Sequence, residues 1–336
     1  MKRFIALSAA FILVFLCGCA SEKQSVSFIA MDTVMTLTAC GGRADAALKK
    51  AESEIHRLEE LFSVTLPDSE ISRLNANGSA ELSADSAAVI EKAAEIYELT
   101  GGCFDITISP VVDAWGFYTD DYRVPSADEL EKLAALTNGS LVTLSGNSAL
   151  LGEGQRIDLG GIAKGYAADK AAEIMKSCGV GSGIIALGGN ILLFGSRPGG
   201  GPWRTAIKSP DIPGEYIGTI SATDTSIVTS GAYQRYFERD GVRWHHIFDP
   251  ATARPAESDL ASVTVVCPDS ALADGLSTAL FVMGCDKALD FWRLHSGMFQ
   301  LVLYTSDGRL CITEGLKDCF SSKTDYEIID IHGALR

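Results

Sequence analysis

Asp274 and Thr278 stand four residues apart in Ala271 to Met283, an apolar run whose spacing predicts a helix. Both side chains then share one face, with Ser277 on its flank. A carboxylate with hydroxyls is a hard-oxygen donor set, suited to Mg²⁺ and unsuited to zinc or copper. So few ligands make sense only if a backbone carbonyl and a diphosphate complete the shell; otherwise they are a polar stripe on a surface helix. A second stretch, D-L-G-G-I-A-K-G-Y from Asp158 to Tyr166, reads as a short strand over Gln155 to Leu159, a glycine break at Gly160 and Gly161, then a helix over Ile162 to Cys178. Free N–H groups at such a helix start, glycines that admit close approach, and the mobile charge of Lys164 suit a phosphate. A plain tight turn is the alternative. His245 and His246 lie on a predicted strand, Trp244 to Phe248, where neighbours face opposite sides. One of them could take a proton from a hydroxyl near neutral pH, or both could be ordinary strand histidines.

The elements that must position these groups are legible in order. Phe28 to Cys40 reads as a strand, Ala44 to Phe62 as an amphipathic helix, and Pro67 to Asn75 as a turn with a capped helical piece. Ser83 to Thr100 is a helix capped by Ser83 and stopped at Gly101-Gly102, and Ser126 to Leu136 opens on a capping box. Cys103 to Phe117 reads by itself as core. Gly183 to Phe194 gives two strands around G-G-N, followed by strands at Trp203 to Ser209, Ile217 to Ala222, Ser226 to Thr229 and Ala261 to Cys267. Ser230 to Arg235 is a turn carrying Tyr233 and Arg235. Strands near Gln300 to Tyr304 and Leu310 to Thr313 close the chain.

The 336 residues, 47% of them apolar, suffice for one large core or two close lobes, and a formal charge of −15 argues against non-specific nucleic-acid binding. Met1 to Gly18 has a basic start and a short apolar run, too short for a comfortable membrane span, and ends in L-C-G-C. This ending resembles a bacterial lipobox, so the expectation is a signal over 1–18, lipid on Cys19, a tether over 19–26, and a mature chain facing outward from a membrane. The main unit then covers 27–336, with a soft internal boundary near 140. Nine cysteines at irregular spacing, without C-x-x-C, suggest neither a zinc site nor a disulfide framework.

Taken together, the segments resemble the ApbE-type flavin transferases, the FAD:protein FMN transferases. The matching pieces, in the family's order from about Met31 to Gly284, are M-D-T-V-M-T-L, P-D-S-E-I-S-R-L-N, F-D-I-T with P-V-V-D-A-W-G-F, D-L-G-G-I-A-K-G-Y-A-A-D, L-G-G-N, P-W-R-T-A-I-K-S-P, T-S-G-A-Y-Q-R-Y, H-I-F-D-P-A-T-A-R-P and A-D-G-L-S-T-A-L-F-V-M-G. The resemblance implies an α+β fold with a mixed, largely antiparallel, T-fold-like sheet core, packed helices and a helical N-terminal part. It implies FAD held by Met31, Leu66, Cys103, Phe104, Asp105, Asp158 and Lys164, with His246 and Ile247 beside the flavin and Tyr233 and Arg235 as further contacts. Magnesium would be bound by the Gly161 carbonyl, Asp274 and Thr278, with Ser277 near. The implied reaction is Mg²⁺-dependent transfer of FMN from FAD to a threonine of an exported or membrane redox protein, releasing AMP, with His246 as base and Lys164 and Asp274 assisting. Hydrolysis of FAD to FMN and AMP, or flavin binding without catalysis, are the alternatives. Four positions depart from the family pattern: Asp32 and Ala253 where glycine is expected, Leu66 near a position often aromatic, and Gln234 where an acidic residue is frequent.

Overall fold

The computed structural model describes residues 23–332, and within them nine strands form one sheet in the order in which the chain visits them. Numbered within this sheet, they are β1 Lys23–Ala30, β2 Thr33–Cys40, β3 Ser182–Leu187, β4 Asn190–Phe194, β5 Thr225–Gly231, β6 Leu260–Cys267, β7 Gln300–Thr305, β8 Leu310–Thr313 and β9 Glu327–Ile329. Neighbours run antiparallel except β8 and β9, which run parallel. The architecture is therefore α+β with a mixed, largely antiparallel sheet.

Three helices cover one face: α1 Ala44–Phe62, α2 Ala163–Ser177 and α3 Ser270–Met283. Helix α1 buries Ala47, Leu48, Ala51, Ile55 and Leu58, a stripe at the i, i+3, i+4 spacing, against Met35 and Leu37 of β2 and the alanine face of α2. Helix α3 buries Leu276 and Leu280 against Val263 and Val265 of β6. On the opposite face, Leu193, Ile227, Val302 and Ile312 pack on a small sheet, Trp203–Lys208, Tyr216–Ala222 and Phe320–Ser321. The sheet is thus covered on both sides, which leaves its strand ends and the α2 and α3 starts as the places where a cleft can open.

Several expectations are corrected. Phe28 to Cys40 is not one strand: the chain reverses at Met31 and Asp32, whose φ of 47° and 58° make the tight turn between β1 and β2. Strand β1 begins at Lys23, inside the stretch expected as tether; the signal and Cys19 lie outside the described residues. Gln155 to Leu159 joins no sheet. Asn75 clasps both polar groups of Ile157 through its side-chain amide, at 2.7 and 2.8 Å, and Asp158 N–H donates to the Ile106 carbonyl, so single bonds replace a ladder. No break falls near 140, because Ser79–Glu81 pairs with Ser148–Leu150 across that position. The strand expected over Trp244 to Phe248 ends at His245, and pairing resumes at Phe248–Asp249.

Candidate active site

The Gly160-Gly161 turn is braced from both sides. Asp158 Oδ1 accepts from Gly160 N–H at 2.7 Å, and its Oδ2 accepts from the Tyr118 hydroxyl at 2.6 Å. Lys164 curls back, its Nζ donating to the Gly160 carbonyl at 2.8 Å and standing 4.0 Å from Asp274 Oδ2. Gly165 N–H, one of the unpaired donors of the α2 start, donates to the same carboxylate oxygen at 2.9 Å. A Cβ on Gly165 would lie 2.3 Å from the Ser270 carbonyl oxygen, so glycine is what lets α2 touch the backbone of α3. At the α3 start, Asp169 accepts from Ser270 and Ala271 N–H at 3.2 and 3.0 Å, locking the two helices in register.

These contacts bring the two remote segments together. A Cβ at Gly161 would meet Phe104 Cε2 at 2.9 Å and Thr278 Oγ1 at 3.7 Å, so the turn abuts the Thr278 hydroxyl while Gly165 and Lys164 address Asp274. Burial pushes the Asp274 carboxyl above its ordinary range, against the opposing pull of Lys164 and the Gly165 hydrogen bond. Among the described residues no cluster of three His, Cys, Asp or Glu could hold a metal. A cation here would have Asp274, Thr278 and main-chain oxygen of the turn, with waters and substrate oxygens completing its shell, a donor set that fits Mg²⁺.

This floor belongs to a cleft of about 570 Å³, in the range of ligand pockets. Met31, Leu66, Cys103, Phe104, Asp105, Asp158, Gly161, Lys164, Arg235, His246, Ile247, Asp274 and Thr278 all line it. A second groove of about 700 Å³, lined by Lys92, Lys170 and Asp269, holds none of these residues. Its lysines are engaged: Lys92 pairs with Glu95 and Lys170 lies 3.8 Å from Asp85.

The two histidines differ in what is left free. His245 accepts from Ile247 N–H at Nδ1 and donates to the Ala256 carbonyl from Nε2, at 3.3 and 3.2 Å, with its ring edge-on to Phe281. Both nitrogens are used. His246 lies 3.0 Å through Nδ1 from the Arg235 carbonyl, which can only accept, so Nδ1 carries the proton and Nε2 keeps a lone pair. Desolvation pushes the His246 pKa down to about 4, opposed by the hydrogen bond to the Arg235 carbonyl and reinforced by the neighbouring His245, Lys164 and Arg235 charges.

Other expected contacts are placed differently. Ser277 is fully buried behind the cleft wall, its hydroxyl bonded to the Asp274 carbonyl and to Ser230 Oγ at 2.8 and 2.7 Å, so it supplies no free ligand. Tyr233 does not line the cleft; its ring closes over Gly231. The Asp105 carboxylate is consumed by Thr107 N–H, Thr107 Oγ1 and Gly139 N–H, and acts as a brace. The Arg235 guanidinium donates to the Phe117 carbonyl and lies 3.5 Å from Asp120. Among the cleft residues that sequence reasoning gave no role are Tyr118, Asn190, and Glu59, which accepts from Met31 N–H at 2.5 Å. Asn190 ends the L-G-G-N motif and Tyr118 follows P-V-V-D-A-W-G-F, whereas Glu59 sits on the polar flank of α1, where nothing marks it out.

The ApbE family model matches residues 31–302. The chain is 33% identical over 319 residues to the FAD:protein FMN transferase of Vibrio cholerae, covering 92% of this chain and 96% of the relative. It is 34% identical over 293 residues to that of Treponema pallidum, covering 81% of each. The crystal structure of the ApbE protein from Thermotoga maritima superposes with a TM-score of 0.84 at 31% identity, covering 89% of this chain and 99% of that one.

Proposed function

The chain belongs to the ApbE family, and from that premise we propose that its cleft binds FAD and transfers the FMN moiety to a threonine hydroxyl of a partner protein, releasing AMP. The carrying observation is that Gly161 and Lys164 meet Asp274 and Thr278 inside one cleft, although more than a hundred residues separate the segments. In the transfer, the threonine oxygen forms a bond to the FMN phosphorus as the bond from that phosphorus to the bridging oxygen breaks, and this oxygen leaves with AMP. His246 Nε2, held by Arg235 in the tautomer that can accept, takes the hydroxyl proton. Lys164 places positive charge where the diphosphate would lie, and the absence of a side chain at Gly161 lets the substrate approach the turn. Bound Mg²⁺, on Asp274, Thr278 and the Gly161 carbonyl, would offset charge on the diphosphate and the leaving group.

Incubation of residues 23–336 with FAD, Mg²⁺ and a threonine-bearing candidate acceptor tests the reading. A fluorescent acceptor band with AMP supports it. AMP without label points instead to an FAD hydrolase, and neither product to a flavin-binding protein without catalysis. The acceptor would be an exported or membrane redox protein, because L-C-G-C at 16–19 suits lipid attachment to Cys19 and an outward-facing chain. Among the described residues no helix is long and apolar enough to cross a membrane. Release of a Cys19→Ser chain from the membrane fraction would support the anchor, and retention would exclude it.

A further inference from the structure

Asn190 opens β4 directly after the Gly188-Gly189 turn and is 1% exposed. Its Oδ1 accepts from Ser270 Oγ at 2.9 Å, which leaves the amide Nδ2 buried with no partner. A buried donor without an acceptor destabilises the fold, and native proteins keep few such groups without a use for them. Leucine or valine would serve the sheet at this position, between Leu187 on one side and Val228 on the other.

The position of this amide indicates its use. Asn190 lines the cleft. Its partner Ser270 is four residues before Asp274 on α3, about 6 Å along the axis, and Gly165 bridges that turn by packing on the Ser270 carbonyl and donating to Asp274. Asn190 and its partner Ser270 therefore lie on the side of the cleft to which Gly165, Lys164 and Asp274 belong. The oxygen-rich part of the substrate proposed above is its diphosphate.

Resting on the FAD reading, we propose that Asn190 Nδ2 donates a hydrogen bond to an oxygen of the FAD diphosphate and so helps to position it. The donor is neutral and pre-oriented by Ser270, so it binds without adding charge to a site that already holds Lys164. Donating to an ionised oxygen recovers what burial costs the empty site.

Asn190→Leu removes the N–H₂ donor without adding charge, at a position between Leu187 and Val228 that suits an apolar side chain. The expected result is an unfolding midpoint close to that of the parent chain and at least a tenfold weaker Kd for FAD with Mg²⁺, read by flavin fluorescence. Asn190→Asp, which keeps the shape and the acceptor for Ser270 but puts an acid in place of the donor, should show at least the same loss. In the parent chain labelled with ¹⁵N-asparagine, the Asn190 side-chain resonances should shift on adding FAD with Mg²⁺ and stay in place with Mg²⁺ alone. FAD affinity within twofold of the parent in both variants, or an unmoved resonance, overturns the assignment while leaving the transferase reading intact. A parent chain that binds no FAD removes both.

Discussion

His246 hangs from the carbonyl of Arg235 by two hydrogen bonds, its own backbone N–H at 3.1 Å and its ring Nδ1–H at 3.0 Å. The carbonyl thus fixes the position of the main chain and the tautomer of the ring at once, while the Arg235 side chain is itself tied to the Phe117 carbonyl. Through this carbonyl Arg235 orients His246.

A pH dependence follows from that environment. The folded pKa of His246, about 4, lies below the ordinary value near 6.5. The unfolded chain therefore binds this proton more readily between those values. The stability tied to neutral His246 is complete above about pH 6.5 and is lost as pH falls toward about 4. As a base, the ring stays competent down to about pH 5. kcat/KM for flavin transfer should show no histidine limb near pH 6.5, and His246→Gln should lower kcat by about 10²–10⁴ with FAD affinity retained. An acid limb at pH 6.5 that disappears in the variant would contradict the burial argument.

Asp274 holds a charge that burial disfavours. Asp274→Asn keeps an acceptor for Gly165 N–H and removes the charge, so thermal unfolding should occur at the same temperature or higher. Turnover with Mg²⁺ should fall at least a hundredfold. Isothermal titration should show weaker Mg²⁺ binding in the presence of FAD. Full turnover would remove the metal assignment.

The sequence discloses these elements unequally, for physical reasons. Helix α1 is legible to the residue because one buried stripe runs through all of it, and the α-helix cap at Ser83 is read correctly because its hydroxyl accepts from Ser86 N–H. The hairpin at Met31-Asp32 is hidden because neither residue is a glycine, although both adopt positive φ. Asp274 and Thr278 share a face by helical spacing, whereas the fate of Ser277 depends on Ser230, 47 residues away. The choice between His245 and His246 likewise needs Ala256 and Arg235, whose carbonyls no local pattern predicts.

Two glycines of the D-L-G-G-I-A-K-G-Y stretch should fail in different ways. At Gly165 an added methyl meets backbone, 2.3 Å from the Ser270 oxygen and 2.7 Å from Ala271 Cα, so α2 and α3 must separate. Gly165→Ala should cost about 1–3 kcal/mol or more in urea unfolding. At Gly161 the methyl meets the edge of the Phe104 ring at 2.9 Å, a side chain that can move. Gly161→Ala should lose less stability and more FAD affinity. Equal destabilisation by both would show that the Gly161 position is structural.

Asp32 and Ala253, which depart from the family pattern where glycine is expected, have φ of 58° and 54°, the left-handed region that glycine enters without steric cost. Holding another residue there costs roughly 1–2 kcal/mol, less for Asp than for Ala, because a short polar side chain tolerates the region. Glycine in turn loses about 0.4–1 kcal/mol through the freer unfolded chain. Asp32 is exposed at the hairpin tip, so nothing else is lost and Asp32→Gly should stabilise by a few tenths of a kcal/mol. Ala253 is fully buried against the cluster around Trp115, whose Nε1 donates to the Ala253 carbonyl at 2.9 Å. Removing its methyl forfeits about 0.8 kcal/mol of burial, which offsets the relief, so Ala253→Gly should be within about 0.5 kcal/mol of the parent. Paired urea titrations decide it: a clear gain at Ala253 would mean that backbone strain there outweighs the packing of its methyl group.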